Sequence, residues 1–125
     1  MRTWSPEELG RIADVVDLDI SPLRDDGVTY RTATRIWIVA VAGRLYVRAY
    51  TGPDAAWYRA ARRQRAGRIV AGDLTREVAF ASVDGAIDDA IDDAYRTKYR
   101  GSSYLSPMIG AGARETTLEV IPRPA

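Results

Sequence analysis

The chain has no cysteine and no histidine. Their absence excludes disulfides, thiolate chemistry, Ser-His-Asp and Cys-His catalysis, and nearly all zinc sites. Lysine is almost missing too: Lys98 is the only one, and the other 17 of the 18 basic residues are arginines with planar, five-donor heads. There is no excess of one charge, since 18 Lys+Arg face 17 Asp+Glu for a net charge of +1. No overall field therefore draws the chain to nucleic acid or to an anionic membrane, and neither is expected as a partner, since either would need a local basic patch. No run approaches the roughly 20 apolar residues that span a bilayer, and the opening MRTWSPEELG lacks an apolar core of signal-peptide length, so a cytoplasmic location is expected.

What remains is an ordinary globular composition, 46% hydrophobic and 28% charged over 125 residues. That length predicts one domain, residues 1–125, with a buried core.

Ser5-Pro6-Glu7-Glu8 is a helix start with a capping box, and Leu9, Ile12, Ala13 and Val16 follow on one face, predicting a helix that ends near Asp17. Arg24 to Gly27 reads as a polar turn, Val28 to Thr32 as a short strand, and Arg35 to Val41 as a strand buried on both sides. After a turn at Ala42-Gly43, alternation sends Leu45, Val47 and Ala49 one way and Tyr46, Arg48 and Tyr50 the other. Gly52-Pro53-Asp54 opens an arginine-rich helix that Gly67 stops. Strands are expected at Arg68–Ala71, Arg76–Ser82 and Glu115–Ile121, a helix at Asp84–Tyr99 and a loop at Gly101–Gly112. Three helices among about six strands with short turns predict an antiparallel α+β barrel or sheet.

The stretch Thr34 to Ile69 gathers arginines and aromatic rings around one strand-to-helix junction. Arg59, Arg62, Arg63, Arg65 and Arg68, with Trp57 and Tyr58, suit a phosphate-bearing small molecule or simply a solvated helix face; single-stranded nucleic acid is a third reading. Arg48, at a strand end facing the next helix start, favours the small molecule.

Asp88-Asp89-Ala90-Ile91-Asp92 spells DDxxD, a pattern that holds magnesium in large helical enzymes, but a short chain makes a solvated acidic face the better reading, and no metal is expected. Asp92 and Asp93 also lie within helical reach of Arg96. Gly110-Ala111-Gly112 lacks the strand and third glycine of a dinucleotide fingerprint. Tyr95, Lys98 and Tyr99 place a lysine beside two phenols, a secondary site candidate. Trp4, Trp37 and Trp57 suit ordinary roles in a small core, and Trp57 suits equally the wall of a ring-shaped ligand.

Arg35-x-Trp37-x-Val39, Leu45-Tyr46-Val47-Arg48, Gly52, Trp57-Tyr58-Arg59, Ala94-Tyr95-Arg96-x-Lys98-Tyr99 and the closing Thr117-Leu118-Glu119-Val120-Ile121-Pro122 together resemble a bacterial family, DUF2255. More distantly the order is similar to the split-barrel flavin-binding proteins, which include pyridoxamine-phosphate oxidases and deazaflavin-dependent nitroreductases. The resemblance implies a six-stranded antiparallel split β-barrel with about three helices that forms a homodimer. It further implies FMN or F420 in a groove between subunits and an oxidoreductase-like activity. By the same resemblance Arg35, Arg48 and Arg59 correspond to phosphate contacts, with Trp37, Tyr50 and Trp57 lining the ring pocket. Hydride chemistry on a cofactor needs no histidine or cysteine. Ala49 stands where Thr or Ser is usual, and Trp57-Tyr58-Arg59 where the superfamily has a Ser-Arg-Lys-like helix start. These departures carry the alternative, a non-redox small-molecule binding protein or biosynthetic enzyme reusing the groove.

Overall fold

The computed structural model describes residues 3–123. Seven antiparallel strands form one sheet: β1 (Leu18–Pro22), β2 (Thr34–Ile36), β3 (Val39–Val41), β4 (Arg44–Val47), β5 (Ala66–Ala71), β6 (Leu74–Ser82) and β7 (Leu118–Pro122), in the order β2-β1-β5-β6-β7-β4-β3. Its two edges, β2 and β3, are separated in sequence only by Trp37 and Ile38. The three steps from Ile36 to Val39 span at most about 11 Å, so the edges lie close together and the sheet curls into a half-barrel.

This break corrects the reading of Arg35 to Val41 as one strand. The run is apolar at both parities because it leaves one edge of the sheet and joins the other. At the break the Ile38 N–H donates to the Tyr99 hydroxyl at 3.2 Å and the Ile38 carbonyl accepts from Lys98 Nζ at 2.6 Å. Side chains from one helix end thus replace the ladder bonds that Ile38 lacks.

The sheet has seven strands where six were expected. β1 is new and lies just past where the first helix was expected to finish, because α1 (Pro6–Ala13) stops at Asp14; the split of Arg35 to Val41 adds a second strand, and the one expected at residues 28–32 is missing. The start of α1 is as predicted: Ser5 accepts from the Glu8 amide at 3.2 Å. Val16, expected on the helix's apolar face, lies beyond its end and is 68% exposed. Residues 28–32 form no strand; Leu23 and Tyr30 make a single bridge closing a hairpin-like loop.

The helix α2 (Ala56–Gln64) begins after the turn at Gly52 and ends at Arg65, whose φ is +61°. Gly67 is not its stop. It sits inside β5, where a Cβ would lie 2.5 Å from the Ser21 carbonyl oxygen, so only glycine lets β1 and β5 approach. A 3-10 turn at Gly85–Ile87 leads into α3 (Asp88–Lys98), and the expected loop at Gly101–Gly112 holds two short helices, α4 (Leu105–Met108) and α5 (Ala111–Arg114). The described residues therefore contain five α-helices rather than three.

Burial follows the alternation of β4. Leu45, Val47 and Ala49 enter the core inside the curl, with Ile12, Ile20, Ile38, Ile69, Phe80 and Val120. Trp4 anchors the segment before α1 by donating from its indole to the Val120 carbonyl at 2.8 Å. Tyr46 points the other way, into a second cluster with Val39, Ile91, Tyr95, Tyr99 and Met108, which α3 covers. No helix is long and apolar enough to cross a membrane among the described residues.

Candidate functional site

Beyond β4 the chain is held by two threonines that follow α5. Thr116 Oγ1 accepts from the Ala49 amide at 2.7 Å and donates to the Ala113 carbonyl at 2.6 Å. Thr117 Oγ1 accepts from Arg48 Nε at 2.9 Å and donates to the Arg114 carbonyl at 2.9 Å. These bonds fix the strand end from which the site opens.

Arg48 is 1% exposed. Besides Thr117, its Nη1 donates to Asp92 Oδ1 at 2.5 Å and to the Met108 carbonyl at 3.1 Å, while Nη2 donates to the Asp88 carboxylate and carbonyl at 3.3 and 3.4 Å. All five guanidinium hydrogens are engaged. Asp92, also 1% exposed, uses its other oxygen to accept from Arg114. Burial pushes the Asp92 carboxyl up, but hydrogen bonds from Arg114 and Arg48 outweigh it and hold the group below its ordinary value of 3.8.

This network corrects the reading of the DDxxD run as a solvated acidic face. Two of its acids form the socket of a buried arginine. Of Asp92 and Asp93, only Asp93 pairs with Arg96, at 2.8 Å. No group of three or more acidic residues is arranged to hold a metal among the described residues.

A groove of about 570 Å³ opens beside this anchor. It is lined by Thr34, Arg35 and Ile36 of β2, by Trp37 at the break, by Arg48, Tyr50 and Thr51 after β4, by Ala55, Ala56 and Trp57 at the start of α2, and by Tyr104 and Met108. Trp37 is held by a stack on Tyr99, with centroids 3.7 Å apart and planes 3° apart. Tyr50 and Tyr104 meet edge to face at 5.6 Å and stay exposed at the rim. Five of the six residues singled out in the sequence (Arg35, Trp37, Arg48, Tyr50 and Trp57) line this groove.

Arg59 does not; it is exposed on α2. Arg35 is at the groove but already faces Asp19 at 3.2 Å and Asp17 at 3.7 Å. Arg48 reaches the groove only as part of its wall. The remaining arginine run is not one open face either, since Arg63 pairs with Asp25 at 3.0 Å and Arg68 with Glu77 at 3.3 Å, stacked 3.8 Å over the Tyr30 ring.

The arginines that sequence reasoning missed are Arg24 and Arg31. They line a cleft of about 190 Å³ with Pro22, Thr32, Thr34, Ala56 and Trp57, the last three shared with the larger groove. The loop between them is stiff: Asp26 accepts from the amides of Val28 and Thr29 at 2.9 Å and from the Thr29 hydroxyl at 2.6 Å, and Gly27 turns at φ +72°. Arg24 Nε donates to the Tyr30 carbonyl at 3.0 Å. Neither Arg24 nor Arg31 has a carboxylate within 4 Å among the described residues, and no carboxylate lines the cleft. The first turn of α2 at its edge has no side-chain cap and no acidic residue. An arginine on each side of an Asp-Asp-Gly turn was the available signal.

Comparison with known proteins agrees with the order of these motifs. Residues 8–120 match the model of a family described as uncharacterized proteins conserved in bacteria, DUF2255. The chain belongs to the DUF2255 family. No curated protein matches it. Among solved structures, this DUF2255 chain is similar to a "Putative Pyridoxamine 5'-phosphate oxidase" from Listeria innocua, with a TM-score of 0.64 and 11% identity over 94% of this chain and 92% of that one. It is also similar to the conserved hypothetical protein Rv2991 from Mycobacterium tuberculosis, with a TM-score of 0.65 and 14% identity over 98% and 83%. At such identities the likeness shows the fold, a split-barrel type.

Proposed function

We propose that the groove binds a planar, phosphate-bearing redox cofactor, FMN or the deazaflavin F420, and that the protein is an oxidoreductase working through it. The observation that carries this reading is the junction at Ala56 and Trp57, where an aromatic groove runs into a cleft with two arginines that have no carboxylate within 4 Å among the described residues. The groove's volume falls in the roughly 300–1,000 Å³ range of small-molecule sites.

In this reading Trp37, Tyr50, Trp57 and Tyr104 flank the ring system. Arg24 and Arg31 take the phosphate with Thr32, Thr34 and the uncapped start of α2, where anions are favoured. The bound flavin supplies hydride transfer, which the chain's own side chains cannot perform. The protein's part is to bind, orient and exclude water: Tyr99 fixes Trp37, and the Arg48–Asp92 network fixes the wall behind it. A second copy of the chain covering the exposed rim at Tyr50 and Tyr104 would close the site, making the working unit a homodimer.

Titration with FMN and with F420, followed by tryptophan fluorescence, tests the reading. Saturable binding of one of them is expected, weakened about tenfold or more in Arg24→Ala/Arg31→Ala by loss of charge-assisted bonds. Failure of both to bind rejects it. The alternative, a non-redox ligand in the same groove, draws on the bulk of Trp57 and Tyr58, both buried at the start of α2. A non-flavin molecule co-purifying with the protein would favour it.

A further inference from the structure

A second groove of about 490 Å³ runs between β3 and α3, lined by Val39, Ala40, Val41, Ala90, Ala94 and Lys98 among others. It shares no lining residue with the aromatic groove. Lys98 is the chain's only lysine, and its Nζ is held by one bond, to the Ile38 carbonyl. The Tyr99 ring lies 5.3 Å from Nζ, and the Tyr99 hydroxyl lies 3.3 Å from the same carbonyl oxygen. The acid whose charge acts on the amine is Asp14 after α1, and Asp93 of α3 lines the same groove but pairs with Arg96. An amine fixed at the side of an apolar groove, with a carbonyl rather than a carboxylate as its partner, is placed for nucleophilic rather than ion-pair chemistry.

We propose that Lys98 is a reactive amine site that condenses with small neutral aldehydes held in this groove. The neutral amine attacks the carbonyl carbon, a C–N bond forms, and the carbonyl oxygen leaves as water. Amine, aldehyde and one proton give a protonated imine and one water, with no oxidant or reductant. The imine N–H retains the Ile38 carbonyl as its acceptor. The apolar walls select a short hydrocarbon body, and Asp14 and Asp93 disfavour an anionic carbonyl compound. Burial lowers the Lys98 pKa to about 8 against the opposing pull of Asp14, so a substantial neutral fraction exists near neutral pH. An ordinary lysine is only about one part in a thousand neutral at pH 7.5.

The test treats the intact protein with propanal and cyanoborohydride, which traps the imine, and follows the Lys98 peptide by mass spectrometry beside Nα-acetyl-lysine amide in the same tube. At pH 7.5 Lys98 is expected to react about tenfold faster than the free derivative, with a half-maximal rate near pH 8. Glyoxylate, an anionic aldehyde, should lose most of that advantage. Ala90→Leu, at an exposed α3 position lining the groove, should slow labelling several-fold while circular dichroism is unchanged. A rate equal to or below that of free lysine, equal preference for glyoxylate, or unchanged labelling in a folded Ala90→Leu protein would each overturn the proposal.

Discussion

Arg48 and the pair Arg24 and Arg31 are the same side chain in opposite settings. Arg48 sits under α3 with every donor engaged by Thr117, Asp92, Asp88 and Met108. Arg24 and Arg31 line an open cleft and have no carboxylate within 4 Å among the described residues. The first uses its charge to tie the end of β4 to α3, α4 and the segment after α5; the second pair has charge left for a ligand. A guanidinium near a site is therefore informative only once its acceptors are known.

The sharpest way to separate the two settings is to remove Arg48. Arg48→Ala leaves Asp92 buried with half its partners, and a loss of about 3–5 kcal/mol in urea unfolding is expected. The double variant Arg48→Ala/Asp92→Leu should lose less than the sum of the single changes. If Arg48→Ala is as stable as wild type, the anchor reading fails.

Acid gives a second handle on the same contact. The Asp92 pKa is lower in the folded state than its ordinary 3.8, so its contribution is fully present above that value and is lost as pH falls through the folded value. Asp92→Asn should therefore flatten the decline in stability below pH 4, measured by denaturant midpoints across that range.

Arg24→Ala/Arg31→Ala should do the reverse of Arg48→Ala. Stability is expected to change by less than about 0.5 kcal/mol, while FMN or F420 affinity falls about tenfold. Raising salt from low to physiological strength should weaken wild-type binding more than it weakens the variant's. Arg59→Ala gives the smallest effect: exposed and outside the groove, it should leave stability within about 0.5 kcal/mol and binding unchanged.

What could be read without coordinates was local. The Ser5 cap, the turn at Ala42-Gly43 and the alternation of Leu45, Val47 and Ala49 each depend on a few adjacent residues. β1 escaped because Asp17 before it and Ser21-Pro22 at its end look like a helix terminus and a turn, although Leu18, Ile20 and Pro22 face inward. The break at Trp37-Ile38 escaped because an apolar run carries no mark of where its hydrogen-bond partners change. Five of the six residues singled out line the groove because it is built around one strand-to-helix junction. The role of Arg48 was not legible, since its partners lie 44 and 69 residues away in Asp92 and Thr117. Arg24 and Arg31 were missed because a polar turn gives no sign of the cleft it borders.

The sheet order also has a consequence in time. β7, the last of these seven strands in chain order, lies between β6 and β4, where it pairs Val120 with both Phe80 and Leu45. Until it arrives, β2-β1-β5-β6 and the β4-β3 hairpin have no strand between them. The nascent chain must then keep two unjoined sheet edges out of contact with other chains. Closure of the half-barrel is thus expected to be a late, long-range event, slow relative to the hairpins it joins.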